Sequence, residues 1–218
     1  NLVYLARPPY GGWVSFTSHL SLAKDYPLFK VGKKSEKNSR SFGYNVRYTN
    51  KSIEDLRKMP NLLITAIDKK FYEYLDKIPA ATIVIHDPTE LKEPVLDALK
   101  SGRFRVITIR KTVHDLLKKQ HKINNKFLLH PFHKFAIKPN TTKNKSMSIS
   151  RVDFDKHTDI IIDANDNNRK IKTDIWGAQN DLYAYHKLRD TNYKKYYKGK
   201  FGKSFEDLAN LLEPAKFI

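Results

Sequence analysis

One feature constrains this 218-residue chain more than any other: short apolar runs alternate with stretches of helical spacing. The clearest run is Ala81–Ile85 (ATIVI), in which β-branched residues dominate and His86-Asp87-Pro88 closes the segment. Residues 1–6 (NLVYLA), 61–66 (NLLITA) and 105–109 read the same way. Helix-like spacing follows each of the four, over residues 13–23, 69–75, 90–100 and 112–120. Continuous apolar strands followed by helices predict a parallel sheet covered on both faces, and therefore an α/β fold. Between them, residues 30–40 read as a basic loop and 42–48 as a second strand. Ser52 reads as an N-cap with Asp55 at the capping-box position, and Gly102 as a helix C-terminal cap.

The pattern is interrupted once. Residues 138–145 (KPNTTKNK) hold no apolar side chain and read as a linker, which predicts lobes at 1–137 and 147–218 joined through 138–146. In the second lobe the expected order is strand 147–150, helix 157–165, strand 172–177, helix 181–188, an ambiguous 193–198, helix 205–212 and a strand beginning at 215–218. Only 72 residues follow Ser146. A doubly wound nucleotide-binding domain takes about 100 or more, so the second lobe is expected to be incomplete.

Composition removes several classes. There is no cysteine, hence no disulfide framework, thiolate metal site or cysteine nucleophile. No apolar run approaches the roughly 18–20 residues of a membrane span, and a soluble cytoplasmic protein is the expectation. The net charge is +18. It is uneven, with 28 basic and 12 acidic residues up to Ser146 but 13 and 11 after it. Such a lobe attracts a polyanion, either nucleic acid through counterion release or, less favoured, an acidic membrane surface; a lysine-rich solvated face is the plain alternative.

Several residues sit where chemistry is possible. Gly11 and Gly12 separate the first strand from the first helix, where glycine lets the backbone approach a phosphate or sugar; a tight turn is the competing reading. His86 and Asp87 lie at the carboxyl end of the strongest strand, the edge at which open α/β sheets bind ligands, and Asp87 before Pro88 also suits a helix cap. Arg151 and Lys156 flank a strand-to-helix turn and could meet a diphosphate, or pair with Asp153 or Asp155. His130 and His133 match no usual zinc spacing, and no metal is expected. Trp176-Gly177 ends a strand, where the indole could stack on a base or pack in the core, and residues 193–201 (YKKYYKGKF) read as a nucleic-acid contact or a wet helix end.

The run SISRVDFDKHTDIIIDAN resembles the segment that opens the C-terminal domain of GT-B glycosyltransferases of the retaining, glycogen-synthase-like group, a strand followed by G-R-(four residues)-K-G and a helix. Ser150 and His157 stand where that pattern has glycines. His86-Asp87 is also similar to the His-Asp pair of phage DNA α-glucosyltransferases, which share the fold. The resemblance implies two Rossmann-like lobes and hexosyl transfer from a nucleotide sugar to an acceptor hydroxyl. By this resemblance Arg151 and Lys156 would bind the donor diphosphate and stabilise the leaving group without a required metal or cofactor. His86 would steady the sugar, Gly11, Gly12 and Gly177 would line the donor site, and Asp87 would face the acceptor. The acceptor would be anionic, DNA being one case. The family's E-x(7)-E element would fall beyond Ile218. A non-enzymatic, basic α/β protein that binds nucleic acid is the second reading.

Overall fold

The computed structural model describes residues 1–6, 12–32, 40–43, 46–133, 146–168 and 170–200. The chain divides into two compact units, Asn1–Lys134 and Phe135–Ile218. Gly11, residues 138–145 of the expected linker, and the expected elements at 205–212 and 215–218 lie outside the described residues.

The first unit is built on an eight-stranded sheet. Its strands are β1 (Leu2–Leu5), β2 (Leu28–Val31), β3 (Arg40–Ser41), β4 (Arg47–Lys51), β5 (Leu63–Ile67), β6 (Ala81–Ile85), β7 (Phe104–Thr108) and β8 (Lys126–Phe127). They lie in the order β3-β4-β2-β1-β5-β6-β7-β8, all parallel except β3, which runs antiparallel to β4 at the edge. Helices α1 (Gly12–Lys24), α2 (Ile53–Leu56), α3 (Tyr72–Lys77), α4 (Glu93–Lys100) and α5 (Lys111–Lys119) connect them.

Alternation along β1 decides the two faces. Val3 and Leu5 join Ile83, Ile85, Phe104 and Val106 in one core, against Leu56 of α2, Leu75 of α3, Val95 and Leu99 of α4, and Val113 and Leu117 of α5. Leu2, Tyr4 and Ala6 point the other way, into a smaller core with Val14 of α1, Leu28, Phe42 and Val46. Chain order reverses at β1: β2 and β4 are laid down on one side, β5 to β8 on the other. Right-handed crossovers then place α1 on one face and α2 to α5 on the opposite one.

Local signals are kept where they are strong. Ser52 Oγ accepts from the Asp55 amide at 3.1 Å and starts α2. Gly102, at φ +76, closes α4. Two expectations change. Residues 28–31 form a strand, because Leu28–Val31 pairs in parallel with both β1 and β4, a tertiary choice that four residues cannot announce. The expected strand at 42–48 begins only at Arg47; Phe42 and Val46 close a turn, the Phe42 amide donating to the Val46 carbonyl at 2.8 Å.

The second unit repeats the alternation. Strands β9 (Ser146–Ile149), β10 (Thr173–Trp176) and β11 (Tyr197–Gly199) form a parallel sheet in the order β11-β10-β9. Helix α6 (Thr158–Asn167) connects β9 to β10; α7 (Asp181–Tyr183), a π-helical turn Ala184–Leu188 and α8 (Tyr193–Tyr196) lead to β11. Val152, Ile162, Ile175, Tyr183, Leu188, Tyr193 and Tyr196 form its core. Three tyrosines are tolerated there because their hydroxyls reach partners: Tyr183 donates to Asp159 at 2.7 Å, Tyr193 to Gln179 at 3.1 Å and Tyr196 to Asp166 at 2.6 Å.

Gly177, at φ +151, has a packing reason to be glycine. A Cβ there would lie 1.6 Å from the Ser150 carbonyl oxygen. Gly177→Ala should therefore lower stability by about 3 kcal/mol or more, read as an early loss of the near-UV signal of the second unit's tyrosines in urea. An unchanged midpoint would show that the backbone relaxes around the new methyl group.

Candidate functional site

The switch in chain order at β1 makes the carboxyl ends of β1, β5 and β6 the place to look for a site in the first unit. His86 follows β6 and is buried. Its ring packs edge-on against Phe16 of α1, with centroids 4.5 Å apart, and Phe16 in turn meets His130 at 5.1 Å. The turn beyond it is set by sequence. Asp87 caps the 3-10 turn Pro88–Glu90 by accepting from the Thr89 amide at 3.0 Å, and Pro88 preorganises its first position. The same turn folds Glu90 back, so that its Oε1 accepts from the amides of His86 and Asp87, both at 2.9 Å, and from Trp13 Nε1 at 3.3 Å.

Glu90 is only 3% exposed. Burial pushes its carboxyl up to about 8, against the opposing pull of the amides of His86 and Asp87 and of the Trp13 indole, so it is largely protonated at neutral pH. Burial pushes the His86 imidazole the other way, down to about 4, so it is neutral. The hydrogen bond from His86 to the Thr65 backbone opposes that shift, while His130 and Arg110 add to it. Among the described residues two buried side-chain atoms have no hydrogen-bond partner, His86 Nε2 and Glu90 Oε2. A neutral imidazole carries one donor and one acceptor nitrogen, so the buried Nε2 is a polar atom able to take a ligand group as its partner. A protonated Glu90 offers a donor. Side chains of this kind meet a ligand hydroxyl without introducing a net charge.

Asp87 has other employment. Arg110 donates to its Oδ2 at 2.7 Å, and its carboxyl is held below the usual range chiefly by the Thr89 amide, with Arg110 adding to the effect. The helix-cap alternative is therefore the one realised, with Arg110 holding the other carboxylate oxygen. Gly12 opens α1, and a Cβ there would meet no atom of the described residues within 4 Å. His130 and His133 hold no metal cluster among the described residues. They pack with His19 instead: its ring lies 6.0 Å from that of His130, and its Nδ1 accepts from the His133 amide at 3.1 Å.

In the second unit, Arg151 and Lys156 come close to one another around acidic partners. Arg151 binds Asp153 at 2.8 Å and Asp155 at 3.2 Å, and Lys156 binds Asp155 at 3.2 Å. Asp155 is held below its usual range chiefly by Lys156 and then by Arg151. The ion-pair alternative is thus the one realised, and a diphosphate reaching this pair would displace two carboxylates. Asp153 is fixed independently: it caps the turn at Phe154 and accepts from Asn180 at 2.8 Å. His157 sits at φ +47 and ψ 46, the left-handed conformation to which glycine is best suited. The Gly177 carbonyl accepts from the Tyr197 hydroxyl at 2.8 Å, and its Cα faces Ser150, so packing accounts for this glycine.

Glu90, Trp13, Phe16 and His130 belong with His86 but were not singled out for this site from sequence. Glu90 carried a signal, since Asp87-Pro88-Thr89-Glu90 has the capping-box spacing. Trp13 and Phe16 carried none, because only the crossover of α1 brings them to β6. Compared with known proteins, the chain matches no family model and no curated protein.

The two opposite shifts give a distinct pH signature. Between about pH 4.5 and 6.5 the unfolded chain gains a proton at His86 and lacks one at Glu90, so the two contributions cancel. Above that window only Glu90 counts: the folded state binds the extra proton, and stability should fall by about 1 kcal/mol per pH unit until the carboxyl ionises near pH 8. Urea midpoints between pH 6 and 9 should show this decline in the native chain and its loss in Glu90→Gln. A parallel decline in both would remove Glu90 as its source.

Proposed function

We propose that the chain is a nucleotide-sugar-dependent glycosyltransferase, and that the sugar end of its donor meets the carboxyl edge of β6. One observation carries this reading. His86 Nε2 and Glu90 Oε2 are a buried imidazole nitrogen and a buried carboxyl oxygen without partners among the described residues, at the edge where α/β sheets take ligands. Sugar hydroxyls each donate and accept, so they suit a neutral imidazole and a neutral carboxyl. The first turn of α1, opening at Gly12, presents backbone amides to an anion.

The conformation of His157 supports the likeness to the G-R-(four residues)-K-G pattern, since the left-handed residue falls where that pattern has its last glycine. In this proposal the molecule has the two-lobe GT-B arrangement. Arg151 and Lys156 exchange Asp155 for the donor diphosphate as charge builds on the leaving group, which is electrophilic stabilisation by preorganised cations and requires no metal. His86 orients the sugar, and the acceptor is an anionic molecule drawn by the basic first unit.

Thermal denaturation with a panel of nucleoside diphosphates and their hexose conjugates tests this. A matching donor at about 100 times its dissociation constant stabilises a protein by roughly 2.7 kcal/mol, a shift of several degrees. Arg151→Ala is expected to shrink the shifts from both diphosphate and conjugate. His86→Gln should shrink only the extra shift from the sugar. If no conjugate outperforms its bare diphosphate in the native chain, the transferase reading fails.

A further inference from the structure

A concave surface lies at the amino ends of β7 and β8, away from His86. The groove encloses about 540 Å³ and is lined by Leu99, Lys100, Gly102, Phe104, Arg105 and Val106 on one side and by residues 122–126 on the other. It exists because β8 is short: it pairs only with Ile107 and Thr108, so Phe104, Arg105 and Val106 of β7 have no strand neighbour on that side among the described residues. The opposite wall is held firmly. Ile123 is buried and its amide donates to the Leu117 carbonyl at 3.0 Å. The Asn125 side-chain amide donates to the carbonyls of Ile123 at 3.1 Å and His114 at 3.3 Å, and its Oδ1 lies 2.7 Å from His114 Nδ1. With Ile123 turned in and Asn125 clamped, Lys122, Asn124 and Lys126 are left exposed on the alternate positions. Lys122 reaches its place with φ at +56.

Charge is the second observation. Residues 100–126 carry nine basic residues against one acid, Asp115, which is engaged by Lys111 at 3.1 Å. Of the other cations in this stretch, Arg103 pairs with Asp76 and Arg110 with Asp87, while Lys118 and Lys119 have no ion pair among the described residues. Lys100, Arg105, Lys122 and Lys126 line the groove, no acidic residue lines it, and none of the four has a carboxylate partner among the described residues. Helix ends account for part of the excess. The carbonyl ends of α4 and α5 attract Lys100, Lys118 and Lys119. Arg105, Lys122 and Lys126 lie outside any helix, so the dipoles do not explain them.

We propose that this groove binds the phosphate backbone of a single nucleic-acid strand. Arg105 offers a planar fork, the three lysines point charges, and Asn124 an amide for a base edge or sugar. A membrane fits less well, because the surface is recessed and its apolar lining, Leu99, Phe104, Val106 and Ile123, is buried and supplies no anchor. An added peptide strand fits less well too, because the free edge of β7 spans only three residues, about 10 Å. The site lies at the amino end of β7, whereas His86 follows the carboxyl end of the parallel β6, and it stands whether or not the sugar-transfer reading does.

The test uses the full chain and a fluorescent single-stranded oligonucleotide of twelve or so nucleotides, read by anisotropy with no sugar donor present. With four cations engaged, log K against log salt should have a slope of about −3. Charge reversal at three of them, Lys100→Glu, Lys122→Glu and Lys126→Glu together, should weaken binding by more than about 30-fold at low salt and bring the slope to about −1. A control reversal away from the groove, Lys24→Glu with Lys58→Glu, should change affinity by less than about threefold at 0.1 M salt, where screening is short-ranged. Circular dichroism checks that both variants are folded. Equal losses in the two variants would mean diffuse surface charge and overturn the proposal. So would groove-dependent binding to phosphatidylserine vesicles or polyglutamate with none to the oligonucleotide.

Discussion

The first unit depends on β1 being paired in parallel on both sides. A strand in that position has no wet face, and Leu2, Val3, Tyr4, Leu5 and Ala6 are all buried. Its two rows of side chains are the seeds of the two cores, and the reversal of strand order beside it sends α1 to one face and the remaining helices to the other. From this follows the geometry at the carboxyl edge. Phe16 and Trp13 of α1 descend onto a strand far from them in sequence and close over His86 and Glu90.

That closure is what makes the edge chemically unusual. A carboxyl in water is ionised at neutral pH and an imidazole sits near its midpoint; in this dry setting each is held in its neutral form, the carboxyl shifted up and the imidazole down. The backbone amides on Glu90 Oε1 soften the cost without cancelling it, and one atom of each group has no partner among the described residues. Buried polar atoms without partners cost stability, so a fold that keeps two of them four residues apart on one turn, with no partner among the described residues, has a local conflict of the kind associated with binding sites.

Within the basic excess, two sets of cations differ in their surroundings. Some cations neutralise carboxylates at close range: Arg110 on Asp87, Arg103 on Asp76, and Arg151 with Lys156 on Asp153 and Asp155. These are exposed pairs of small individual value. Others, at the amino ends of β7 and β8, face a groove with no counter-charge. Net charge alone does not separate the two; the position of each partner does.

Much of the architecture was legible in the chain because it is written locally. The ATIVI run needs only its β-branched residues to be a strand, Ser52 needs only the next turn to cap, and Gly102 needs only its own backbone freedom. Strands β2 and β8 were not legible, since each is a few residues long and owes its extended form to a neighbour already in place. The site divides in the same way. His86, Asp87 and the spacing that folds back Glu90 are sequence properties of one turn. That Arg151 and Lys156 spend their charge on Asp153 and Asp155, that Glu90 is neutral, and that four cations share a groove were decided by tertiary structure. Charge, burial and partnership depend on distances through space, and sequence separation does not encode those distances until the sheet has set them.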